Sequence, residues 1–301
     1  MLFRSRELAL ETESWGDVAR AAVNEGGALQ TLARDEEALA ISLDGAEVAR
    51  AHGLDRAYGA FLRLNAGEAL RVLGRWDEAD EQLREVEGTN PLGIDAWRLA
   101  EQRCLLAVGR AQYAAARAEV ERMEQLIGRV GAVRDHLTIE RAWITIAGWS
   151  GDEVGALERA VDAMRTPVED LSLCSDVSIE VIVEGIAAGA SVASRTREPD
   201  ARAAYVQQVR DLGGRLERWV ATGRWGGGRP GALDALTAQF GAEIARSIGD
   251  DSGPPWLVVA EMWVGHHMRP REAYARFRAT EAFVRDDDRD AAAARDRKSV
   301  V

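Results

Sequence analysis

Lysine is almost missing from this chain of 301 residues: of its 38 basic side chains only Lys298 is a lysine, and the rest are arginine. A phosphate-binding loop of the G-x-x-x-x-G-K-[ST] kind needs that amine on the β and γ phosphates, and no such segment exists. Schiff-base and lysine general-base chemistry drop out of the body of the chain on the same count. Cysteine is scarce too. Cys104 and Cys174 are too few and too far apart for a disulfide framework or a thiolate metal cage, which points to a reducing, cytoplasmic setting. Aromatic residues are only 6% while apolar residues are 47%, so the core must be built from Ala, Leu and Val. Small side chains let helix axes approach, and Ala has the best helix propensity, so close-packed helices are expected. Positive charge is in deficit, with 50 acidic against 38 basic residues and a formal charge of -12. A duplex-binding surface needs clustered cations to displace counterions, so no direct nucleic-acid contact is expected.

Uninterrupted apolar runs are missing as well. The N-terminus reaches Arg4, Arg6 and Glu7 at once, unlike a signal peptide. The most apolar stretch, Val177 to Ser194, is broken by Glu180 and Glu184 and reads as a buried helix rather than a membrane span, which needs about 20 mostly apolar residues. No segment alternates with period two, so no strands are expected.

What is present is a repeat. Between Phe61 and Pro91, the residues Gly67, Leu70, Gly74, Trp76, Ala79, Leu83 and Pro91 fall at the spacings of a tetratricopeptide helix-turn-helix. Gly67 and Ala79 are small where the helices cross, Gly74 lets the chain leave the first helix, Trp76 plugs the gap between helices, and Pro91 stops the second. The figure recurs at Gly26 and Ala38, at Gly109 and Ala116 (with a turn two residues longer), and at Gly151 and Ala156. The alanines Ala38, Ala79, Ala116 and Ala156 are 41, 37 and 40 residues apart, longer than the regular spacing of about 34. The fold expected is all-α, a tetratricopeptide-like superhelix of antiparallel helix pairs.

Residues 1–165 are assigned about four such pairs, and 166–285 further, more divergent ones. The latter comprise helices over Leu171–Ser194, Asp200–Thr222, Leu233–Ile248, Trp256–Gly265 and Arg271–Val284. Residues 286–301 form a polar tail. Its last six, Asp296 to Val301, can be encoded by a codon string that resembles sequencing-adapter read-through, so they are expected to be foreign and the chain a fragment.

Two segments, Leu43 to Val86 and Pro254 to Val284, resemble the helical-repeat arm of the large LuxR-type transcriptional regulators with an N-terminal ATPase domain. That resemblance spans about residues 10 to 285. It implies a non-catalytic module, without cofactor, that binds a protein or small-molecule inducer in its groove. Its other partners would be the ATPase and DNA-binding helix-turn-helix domains of the full-length regulator. Neither of those domains has its motifs in this chain, so none of their residues carries over. A free-standing tetratricopeptide adaptor is the alternative.

First helices of such pairs line a concave surface. Arg63, Asn65, Arg71, Arg98, Gln102 and Arg141 are their polar residues, and Trp97 and Trp143 are candidates for stacking on a ligand. In an acidic protein, a groove with several arginines suits an acidic peptide or a small anion. The competing reading is a solvated face that keeps the array soluble. His266-His267 reads as a helix-end turn rather than a metal site, because adjacent helical residues point about 100° apart. Asp286, Asp287, Asp288 and Asp290 match an acidic metal-diphosphate motif but lie in a polar run. Gly226-Gly227-Gly228, between Arg224 and Arg229, lacks the preceding strand of a phosphate loop. Trp256 and Trp263, seven apart, are expected to share the core with Phe277.

Overall fold

The computed structural model of the protein describes residues 2–127, 132–165, 175–221 and 232–286. Among them all regular structure is helical, without a strand. Seven helices lie in a first compact unit, Met1–Gly128: α1 (Leu2–Glu11), α2 (Trp15–Thr31), α3 (Asp35–Ala51), α4 (Ala60–Val72), α5 (Trp76–Gly88), α6 (Gly93–Gly109) and α7 (Tyr113–Ile127), with a π-helical turn at Asp55–Gly59. Among the described residues of a second unit, Arg129–Val301, there are seven more: α8 (Val133–Ser150), α9 (Glu153–Ala163), α10 (Ser175–Arg195), α11 (Pro199–Ala221), α12 (Ala232–Ile248), α13 (Gly253–Gly265) and α14 (Arg269–Arg285).

The repeat resides in its turns. Helices α2/α3, α4/α5 and α6/α7 are each joined by three residues, short enough to force them antiparallel. The middle residue is left-handed in every case: Ala33 (φ 60°), Gly74 (φ 79°) and Ala111 (φ 55°). The next amide then closes a six-residue turn: Arg34 donates to the Leu29 carbonyl at 2.9 Å, Arg75 to Leu70 at 2.9 Å and Gln112 to Ala107 at 2.8 Å. Gly151 (φ 95°) does the same between α8 and α9, where Asp152 donates to Ala147 at 2.9 Å. In all four the fully buried packing alanine follows the left-handed residue by five positions, at Ala38, Ala79, Ala116 and Ala156.

This register corrects the sequence alignment at Gly109. The equivalent of Gly74 is Ala111, and the turn is no longer than the others. Gly109 is small for another reason: a Cβ there would lie 2.8 Å from the Trp76 ring. Trp76 thus packs against the end of α6 while its Nε1 donates to the Arg71 carbonyl at 3.2 Å. Gly67 does sit at a helix crossing, facing Leu83 and the Ala79 carbonyl. Pro91 stands beyond the end of α5, whose last turn closes at Gly88; the chain reverses at left-handed Asn90 (φ 51°) first.

In the second unit α10 is the central helix, touching α8, α9, α11 and α12. The stretch Val177–Arg195 is long and apolar enough to cross a membrane, with mean hydropathy 1.5, but 78% of it is buried inside the protein. One side carries Gly185 and Gly189, which admit Ala160 and Leu157 of α9 and Leu212 and Val209 of α11. The other side carries Glu180, Glu184, Ala187 and Ser191, spaced as one helical stripe about 150° away. Trp256 and Trp263 are buried as expected. Phe277 is not: it is 48% exposed. Ala275, Ala279 and Ala282 are the buried stripe of α14, and Phe277 lies nearly opposite them on the helical wheel. Phe283 takes the expected place, its ring against Gly253.

Candidate functional site

In the first unit α4 lies between α2 and α6, and one polar stripe crosses all three. Phe61, Asn65 and Glu68 share a face of α4 at i, i+4 and i+7. From α6, the Arg98 guanidinium sits 4.3 Å over the Phe61 ring and donates to Asn65 Oδ1 at 3.0 Å and Glu68 Oε2 at 3.4 Å. From α2, Gln30 donates to the Asn65 carbonyl at 2.9 Å, and Asn65 Nδ2 donates to the Val23 carbonyl at 3.5 Å. Asn65 is only 3% exposed, so it acts as the rivet joining three helices. One turn beyond Arg98, Gln102 is equally buried. Its Oε1 and Arg98 Nη1 have no hydrogen-bond partner among the described residues, and neither has Trp97 Nε1. Unpartnered buried polar atoms cost about 1–3 kcal/mol each. Asp95, one turn before Arg98, has its carboxyl pushed up by burial, partly offset by the Arg98 charge.

The residues anticipated for a groove are therefore only partly brought together. Asn65, Arg98 and Gln102 share the stripe, and Arg71 lies one turn past Glu68, partly buried. Trp97 is buried on another face of α6. Arg63 does not belong: two residues before Asn65, it points about 160° away and is held by Asp55 at 2.8 Å and Glu85 at 2.7 Å. Arg141 and Trp143 belong to the second unit. There Arg141 faces Glu180 at 3.8 Å, and Arg159 stacks 5.4 Å from the Trp143 ring.

By its turn register α8 is the counterpart of α2, α4 and α6. The face it forms with α10 and α12 is met by α14. Arg271 bonds Glu180, and the Tyr274 hydroxyl donates to Glu243 Oε1. Glu243, 1% exposed, also binds Arg246 at 2.6 Å. Arg246 reaches back to α10, donating to Ser191 Oγ at 3.1 Å and the Ala187 carbonyl at 2.8 Å. Arg278 donates to Ser191 Oγ at 3.3 Å and lies 4.9 Å over the Tyr274 ring. Tyr274 in turn meets Trp149 and Trp256 edge-on. Burial and the Glu243 carboxylate hold the Tyr274 phenol far above its ordinary range, so it remains a donor. Glu184 stands apart, with no hydrogen bond or ion pair among the described residues. Burial raises its carboxyl; Arg271 and Arg141 oppose that, and Glu180 and Glu243 reinforce it. The sequence reading missed this network. Its available signals were Glu180 and Glu184 four apart in an apolar helix, and Arg271, Tyr274 and Arg278 on one stripe of α14.

The remaining candidates carry little. His266 caps α13 beside the Trp263 ring, and His267 is left-handed (φ 56°), so the pair is a turn. Among the described residues no group of three or more His, Cys, Asp or Glu can hold a metal. Asp286 ends α14, whereas Asp287, Asp288, Asp290, Cys174 and the Gly226–Gly228 segment with Arg224 and Arg229 lie outside the described residues. No known protein family, curated protein or solved structure matches this chain.

Proposed function

We propose that the chain is a non-catalytic, tetratricopeptide-like binding arm of a LuxR-type ATP-dependent transcriptional regulator, with the polar face of α2, α4 and α6 as its ligand surface. The support is the placement of Arg98 and Gln102. A donor and an acceptor one helical turn apart stand unpartnered beside a fully bonded Asn65. Both atoms are buried, so a ligand reaches them once the Arg98 side chain swings outward; an acidic peptide or small organic anion with a donor of its own then satisfies both. Bound there, such an inducer favours one packing of the arm on its switch domain and shifts the population toward the active regulator.

The test titrates the full chain with fluorescently labelled Asp/Glu-rich peptides and, separately, small dicarboxylates. Saturable binding that Arg98→Ala weakens at least tenfold, and that Arg141→Ala leaves unchanged, is expected. Binding untouched by Arg98→Ala defeats the assignment of this surface. The flanking DNA separates the two protein contexts: an in-frame nucleotide-binding region upstream fits the regulator, and its absence fits a free-standing adaptor.

A further inference from the structure

The main chain of α14 packs closely on α13 through Ala275, Ala279 and Ala282. Toward α8, α10 and α12 its links are different in kind. They are made by the ends of long side chains, Arg271 to Glu180, Tyr274 to Glu243 and Trp149, and Arg278 to Ser191. These three residues, at i, i+3 and i+7, form a single stripe beside the alanine stripe. A core helix is normally fixed to every neighbour by interdigitating apolar side chains. Here one face reads its neighbours by charge and hydrogen-bond geometry, as a bound ligand does.

The reading is also imperfect. Glu184 lies on the same α10 stripe as Glu180 and Ser191, yet α14 gives it no hydrogen bond or ion pair: Arg271, bonded to Glu180, acts on it through its charge alone. Arg278 Nε is buried without a partner. Between Arg271 and Arg278 the stripe presents Tyr274, a neutral group, where α10 presents a carboxylate.

We infer that the α8/α10/α12 face is a recognition groove for an amphipathic helix with a basic stripe, which α14 occupies in cis. A partner helix with a small-residue face, arginines at the places of Arg271 and Arg278, and a base where α14 has Tyr274 pairs with Glu180, Glu184 and Glu243 together. It fits the groove better than the resident helix. This surface is separate from the one proposed above for α2, α4 and α6, and its failure would leave that reading standing.

The probe is a labelled peptide of residues 269–285, made with the native sequence and with Tyr274→Arg, and titrated against the full chain. Wild type is expected to bind the native peptide weakly, because α14 holds the groove. A chain with Arg271→Ala and Arg278→Ala should bind it at least tenfold more tightly, and the Tyr274→Arg peptide tighter still by about tenfold. Glu184→Gln in the chain should erase that last gain. If the double variant binds neither peptide, or binds a sequence-scrambled one equally, the inference is overturned. Should the double variant not fold, hydrogen exchange of the wild-type chain with excess Tyr274→Arg peptide decides instead. Faster exchange confined to α14 supports displacement, and an unchanged pattern overturns it.

Discussion

The same helical surface is finished in two ways in this protein. In the first unit the face of α2, α4 and α6 is tied through Asn65, which bonds Val23 and Gln30 of α2 on one side and Arg98 of α6 on the other. In the second unit the corresponding face of α8, α10 and α12 holds a continuous network, Ser191–Arg246–Glu243–Tyr274, closed by α14. The first solution leaves unmet hydrogen-bonding capacity at Arg98 and Gln102. The second satisfies Glu243 and Arg246 almost completely at the cost of burying a charge pair. A polar face on a helical repeat is therefore not in itself a binding groove; what matters is whether the chain fills it.

Removing the network's centre should have the largest effect. Glu243→Ala leaves Arg246 buried and uncompensated, and the second unit should lose about 3–5 kcal/mol in urea unfolding followed by tryptophan fluorescence. Asn65→Ala should cost the first unit less, about 1–3 kcal/mol, because it removes the side-chain bonds to Arg98 and the Val23 carbonyl but keeps the main-chain carbonyl that Gln30 donates to. A similar cost in both variants would dissolve the distinction.

The turns give a smaller effect with opposite sign. Ala111 holds a left-handed conformation that costs an L residue about 1–2 kcal/mol, so Ala111→Gly should raise stability by about 1 kcal/mol, and Gly74→Ala should lower it by a similar amount. The smallest effect is the pH dependence of the second unit. The Glu184 carboxyl is raised above its ordinary value of 4.5, so the folded state binds more protons than the unfolded one. Its contribution is whole below the unfolded value and is lost as pH climbs through the folded value. Glu184→Gln should flatten that part of the stability profile, measured by thermal melts from pH 4 to 8.

Much of the helical layout is legible in the sequence, because alanine and leucine spacing dictates which faces are buried. The packing alanines at Ala38, Ala79, Ala116 and Ala156 mark the second helix of each pair correctly. The turn between α6 and α7 is not legible, because Ala111 performs there the task that Gly74 performs two helices earlier. Phe277 misleads because hydrophobicity alone places it inside, whereas the alanine stripe of α14 decides which side faces α13. Among the candidate site residues, Asn65, Arg98 and Gln102 follow from helical spacing. Arg63 fails the same test, being half a turn away. Glu243 and Arg246 are three residues apart, but the network around them is invisible because its other links span 31 residues to Tyr274, 55 to Ser191, 59 to Ala187 and 87 from Arg278 to Ser191, and no local pattern records such a pairing.

Peptide-resolved hydrogen exchange on the full chain carrying Glu243→Ala tests the contrast most directly. The account predicts loss of protection in α14 together with α10 and α12, while α2, α4 and α6 exchange as in the wild type. Full retention of protection in α14 once its central anchor is gone would contradict it.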